Sequence, residues 1–273
     1  MFSQYPGTLA LLTSSLTSLD SIWSDDTPLL SDWLQEHGAA FDLPAFIAAL
    51  ARLEEYVADC KAASIDLPVP ETMILNPTLQ VIESEWLNLP AYLAGRDVTV
   101  TAGQELLLVW QRMDGSVRYK SGTKQDLLAM KLVADQTDLA MAAQEHGITV
   151  GVLDSMLEHG ENEELLLVPD PLIIRNALFK ANGFAGEKFL TSPAFTLQWH
   201  ITQVCDLHCK HCYDRSQRKA VAFDKGVAIL DDFRDFCKEH NVFGQVTFTG
   251  GNPLLYENFL ALYQAAADRG FQL

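Results

Sequence analysis

Hydrophobic positions fall into three textures along the chain. Over residues 8–63 the spacing is helical: Leu43, Phe46, Ile47, Leu50, Leu53 and Val57 recur three and four apart and form one apolar stripe. Asp42 stands before Pro44 where a helix N-cap is expected, and Cys60 extends the same helix as a small core residue. The prolines of 66–70 (DLPVP) then deny further helix and mark a linker.

Beyond the linker the period changes. Residues 78–83 (TLQVIE) alternate as a strand, 105–113 (ELLLVWQRM) form a second, and Asp114–Gly115 turns the chain into a third at 116–120 (SVRYK). Helical patterns follow at 124–134, 138–146 and 150–159, with Gly147 placed to stop the second. The short apolar run 165–168 returns as a strand. Strands, three helices and a returning strand predict an α+β winged helix over 76–169.

From Phe195 the texture changes again. Phe195, Leu197, Trp199 and Ile201 alternate with Thr196, Gln198, His200 and Thr202, which is strand periodicity. Residues 224–240 carry Val227, Leu230, Phe233 and Phe236 on one helical face, with Cys237 beside them as a core residue. A strand at 245–249, a helix near 257–269 and an apolar stub at 271–273 complete an alternation of strand and helix. That alternation predicts an α/β unit on a parallel sheet, over 190–273. The expected organisation is thus a helical region (1–70), a winged helix (76–169) and an α/β unit.

Composition changes this picture little. The 273 residues are 48% hydrophobic and 20% charged, as expected of a chain that buries real cores. The opening residues lack the basic segment of a signal peptide, and no run reaches the roughly 18 apolar residues of a membrane span. The expected location is the cytoplasm, with no membrane partner. A net charge of −17 argues against nucleic acid as a partner, because phosphate recognition needs a basic surface. The middle region agrees: between residues 123 and 164, nine Asp and Glu residues stand against Lys124 and Lys131.

Five cysteines are present, and three crowd into the segment Cys205-Asp-Leu-His-Cys209-Lys-His-Cys212. Thiolates are soft ligands for iron–sulfur clusters and zinc. Three of them can fill three corners of a cubane and leave one iron without a protein ligand. A structural zinc is the competing reading, with His200, His208 or His211 as the fourth ligand. The loop follows a strand and precedes a helix, so it lies at the carboxyl end of a parallel strand, where α/β folds place their chemistry. Arg215, Arg218 and Lys219 follow as a solvated loop or as counter-charges.

Residues 195–213 (FTLQWHITQVCDLHCKHCY) resemble the cluster-binding segment of the radical S-adenosylmethionine (SAM) superfamily, especially its peptide-modifying members. That family uses C-x3-C-x-φ-C, with His211 here at the usually aromatic φ position. The resemblance implies a partial (βα)6 barrel, a [4Fe–4S] cluster on Cys205, Cys209 and Cys212, SAM chelated at the open iron, and an external electron donor. It also implies that reductive SAM cleavage yields a 5′-deoxyadenosyl radical that takes hydrogen from the substrate. Thr249-Gly250-Gly251-Asn252-Pro253 stands where the family carries a Gly-Gly-Glu-Pro motif beside SAM, with Asn252 replacing the glutamate. Two βα units and the start of a third strand cover only the first part of such a barrel, so the resemblance implies a piece of a longer protein that turns over poorly alone.

The middle region resembles the RiPP recognition element, a winged helix that binds the leader of a ribosomally made precursor peptide. The resemblance implies that the leader pairs with Val117, Arg118, Tyr119 and Lys120 and lies against Val152, Leu153 and Met156. A purely structural winged helix is the alternative. The expected function is radical maturation of a precursor peptide; radical chemistry on a small molecule, or a non-catalytic zinc protein, are the other readings.

Overall fold

A computed structural model describes residues 4–12, 29–63, 65–174, 191–207, 209–213 and 219–273. It is mixed α/β with three small sheets and, among the described residues, no closed barrel. The chain divides into two compact units. One gathers residues 1–68, 74–131 and 160–167; the other gathers 69–73, 132–159 and 168–273.

In the first unit, helices α1 (Pro6–Leu12) and α2 (Leu30–His37) pack on α3 (Ile47–Ala63), which covers one face of an antiparallel sheet. That sheet runs β2 (Gln80–Leu87), β3 (Thr101–Gln111), β4 (Val117–Ser121), with β3 central. Leu107 and Val109 pack with Leu50, Leu53 and Cys60 of α3, while Leu108 and Trp110 meet Leu165 on the opposite face. Both faces of β3 are therefore buried, which explains an unbroken apolar run in place of strict alternation. A short helix, α4 (Leu89–Leu93), follows a bulge between Ser84 and Trp86. The returning strand β5 (Leu166–Leu167) pairs with a two-residue β1 (Ile74–Leu75). Asn76 ties this closure down: its Nδ2 donates to the carbonyls of Gln111 and Glu164, both at 2.8 Å.

Two adjacent carboxylates on α3 organise the helical layer. Glu54 accepts from the Gly7 and Thr8 amides at 2.6 and 3.1 Å and from the Thr8 hydroxyl at 2.5 Å, capping α1. Glu55 accepts from the Ser31 amide at 3.0 Å and its hydroxyl at 2.6 Å, capping α2, and from the Tyr5 hydroxyl at 3.0 Å. Both are buried, and each satisfies helix N-terminal amides that have no intrahelical acceptor. Asp42 does not cap α3. It takes a left-handed conformation (φ 56°) that ends the 3₁₀ turn Gly38–Phe41, and α3 starts only at Ile47 because Pro44 delays it.

Burial raises the Glu54 pKa above the ordinary value near 4.5, and its hydrogen bonds oppose this without cancelling it. With the folded value above the unfolded one, its contribution to stability is full below pH 4.5 and is lost as pH rises through the folded value. Glu54→Ala should cost about 2–3 kcal/mol, since it strands the buried Thr8 amide and hydroxyl and the half-buried Gly7 amide. In urea titrations the stability gap between wild type and Glu54→Gln should narrow from pH 4.5 to 7.5; a widening gap would contradict this account.

The second unit contains α6 (Leu139–His146) and the first turns of α7 (Val150–Asn162), which follow α5 (Lys124–Ala134). Asp138 caps α6 through the Met141 amide, and Gly147 closes it at φ 64°. The unit also contains β6 (Ala194–Thr202), α8 (Phe223–Glu239), β7 (Phe243–Gly250) and α9 (Phe259–Ala267). Strands β6 and β7 are parallel, and Gln272 adds a parallel bridge on the far side of β7. Trp199, Ile201 and Val246 pack against Leu230, Phe233 and Leu262 of the helices. The other face of the sheet carries Thr196, Gln198, His200, Gln245, Thr247 and Thr249 in matched register. No described helix is long and apolar enough to cross a membrane.

Candidate metal centre

Strands β6 and β7 end side by side, and their exit loops form the site. Thr202 pairs with Gly250 at the last register position. The Gly251 amide then donates to the Thr202 carbonyl, and the Asn252 amide to the Val204 carbonyl, both at 2.8 Å. A third bond joins the loops through side chains, from Asn252 Nδ2 to Asp206 Oδ1 at 3.0 Å. Backbones lie this close because positions 250 and 251 are glycine. A Cβ on Gly250 would stand 2.1 Å from the Thr202 oxygen, and one on Gly251 2.2 Å from the Val204 oxygen. Gly250 also holds φ at 123°, which an L side chain rarely adopts.

The cysteine loop leaves from this seam. Cys205, Cys209 and Cys212 are exposed and form no disulfide, whereas Cys60 and Cys237 are buried. Burial pushes the Cys237 thiol up to about 11, and raises Cys60 as well, so neither is a thiolate at neutral pH. The Leu207 amide donates to the Cys205 sulfur at 3.4 Å. A turn closed by the Cys212 amide on the Cys209 carbonyl (3.1 Å) carries Lys210 and the exposed His211. Among the described residues the three sulfurs do not gather within 4.8 Å of one another. Three exposed thiols, an amide aimed at one sulfur and a glycine seam beside them fit an iron–sulfur cubane.

Next to the cysteines, the Tyr213 hydroxyl lies 3.0 Å from Nε2 of His200, on the polar face of the sheet. Asp206 is held below the usual carboxylate pKa range, first by the Asn252 amide. Pro253 opens a 3₁₀ turn to Leu255, which Asn252 caps by accepting from the Leu254 amide at 3.1 Å. Thr249 faces His200 across the strands. Sequence reasoning placed Thr249–Pro253 beside the cysteines but missed Asp206, whose partner Asn252 lies 46 residues away, and the His200–Tyr213 pair across the cysteine loop. His208, Arg215 and Arg218 lie outside the described residues.

No family model matches the chain. Over 81 residues it is 30% identical to the S-adenosylmethionine-dependent nucleotide dehydratase of Selenomonas ruminantium, a stretch that makes up 29% of this chain. That relative is a SAM-dependent enzyme. The match spans 28% of its length.

The residues expected to meet a leader peptide divide between the two units. Strand β4 is an outer strand of its sheet, with Arg118 exposed and Val117 and Tyr119 half-buried. The Lys120 ammonium is engaged by Asp126 at 2.9 Å and also by Glu163. On α7, Val152 is exposed and Met156 half-buried, but Leu153 is 1% exposed and serves packing.

Proposed function

We propose that this chain carries the cluster-binding part of a radical SAM enzyme. The observation that carries the reading is a loop of three exposed cysteines that leaves the Gly250–Gly251 seam at the carboxyl ends of two parallel strands. Cys205, Cys209 and Cys212 would hold a [4Fe–4S] cluster and leave one iron open to SAM. When bound, the cluster supplies the electron that cleaves SAM reductively. The chain's own residues do the rest: the seam lets backbone approach the cofactor, and the polar face of β6 and β7 offers hydroxyl, amide and imidazole groups to a substrate.

A ribosomal precursor peptide is the proposed substrate, supported by β4 as an outer strand to which an extended leader can add. The second reading is a nucleotide, favoured by the relative's printed activity. Anaerobically reconstituted protein with SAM and dithionite should release 5′-deoxyadenosine, and precursor peptides encoded beside the gene should accelerate it. Acceleration by nucleotides alone would replace the peptide reading. No 5′-deoxyadenosine under any condition would overturn the radical reading.

A further inference from the structure

Asn252 stands where the resemblance expects a carboxylate, and it carries no charge. Its carbonyl oxygen accepts from the Leu254 amide, and its NH2 donates to Asp206. One bond at each end fixes the orientation of the amide. What that arrangement fixes is the Asp206 carboxylate, between Cys205 and Cys209 in sequence and beside the glycine seam in space. Asp206 is exposed. A carboxylate offers about four lone-pair positions, and the Asn252 amide uses one. Asp206 directly follows Cys205 on the loop whose three sulfurs would bind metal as thiolates, so a cationic ligand complements it.

We propose that Asp206, positioned by Asn252, is the acceptor for the α-ammonium group of SAM. The proposal rests on the SAM reading above. It moves the anionic partner from the glycine loop to the cysteine loop and makes Asn252 a positioning residue. An ammonium brings three donors and a full charge, and its bond to a carboxylate is stronger than one to a neutral amide.

Isothermal titration of the anaerobically reconstituted full chain tests this, with SAM and with its analogue lacking the α-ammonium. Wild type should prefer SAM by about 10- to 100-fold, the usual worth of a charge-assisted hydrogen bond. Asp206→Asn should lose that preference by weakening SAM while leaving the analogue unchanged, at full iron and sulfide content. Asn252→Ala should reduce the same preference with the cysteine loop sequence intact, and it decides the matter if Asp206→Asn assembles poorly. Adding Asn252→Glu to Asp206→Asn should restore part of it. A preference that survives both Asp206→Asn and Asn252→Ala overturns the assignment while the SAM reading stands. A wild type that binds SAM and the analogue equally overturns it too. A wild type that carries its cluster but binds neither ligand removes the SAM reading, and Asp206 with it.

Discussion

Replacing any one of Cys205, Cys209 or Cys212 with serine is expected to take the reconstituted protein from about four iron and four sulfide per chain to near zero. On the proposed reading three sulfurs would hold three corners of the cubane and the fourth iron would depend on the cofactor, so the loss of one sulfur would leave a second iron without its thiolate. A serine oxygen is a hard ligand with a high pKa, a poor substitute for thiolate on iron. The parent should be brown, with the broad absorbance of thiolate-to-iron charge transfer, and each variant colourless. Cys60→Ser and Cys237→Ser are the controls. Both thiols are buried, 3% and 6% exposed, so these changes should keep the iron and cost about 1–3 kcal/mol by burying a hydroxyl. A triple alanine variant that takes up as much iron and sulfide as its parent would end the cluster reading, and a colourless parent that retains zinc would favour the structural-metal alternative.

The contrast among the five cysteines shows what the sequence could carry. Spacing alone separated the loop cysteines from Cys60 and Cys237, because loop ligands cluster in sequence and core cysteines follow helical period. Elements with clean periodicity were equally legible. The helix expected over 124–134 is α5, and the strand expected from Phe195 is β6, begun one residue earlier. Less legible was anything whose cause lies in another segment. Strand β1 exists only because β5 returns to it, and α4 follows a bulge that no alternation pattern announces. Glu54 and Glu55 read as ordinary polar positions on α3. Their partners lie 46 and 24 residues away, where only the packed structure delivers helix ends to them. Asp206 and Asn252 are likewise 46 residues apart, joined by strands whose parallel register brings the two loops level. The residues of the seam were readable by type; the bonds that make it a seam were not.

Gly250 is where that seam is most exposed to perturbation, and alanine there should produce the largest loss of stability among single glycine substitutions. Two penalties act at once. Forcing an L side chain to φ 123° costs about 1–3 kcal/mol, and driving a Cβ to 2.1 Å from the Thr202 oxygen adds about 1–3 kcal/mol unless the loops part. Two other glycines separate the terms. Gly95 has φ 73° with nothing within 4 Å of a Cβ, so Gly95→Ala should show the conformational cost alone, about 1–2 kcal/mol. Gly251 has no positive φ but would place its Cβ 2.2 Å from the Val204 oxygen, so Gly251→Ala should show the contact cost alone. Urea denaturation should therefore rank Gly250→Ala above both. If the loops part instead, the Gly251 amide loses the Thr202 carbonyl, and Asp206 loses the position that Asn252 gives it. SAM affinity should then fall in Gly250→Ala while iron uptake persists, since the cysteines need only their own loop. Equal costs for Gly250→Ala and Gly95→Ala, with SAM affinity intact, would mean that the close approach of the two strand ends does not hold the site together.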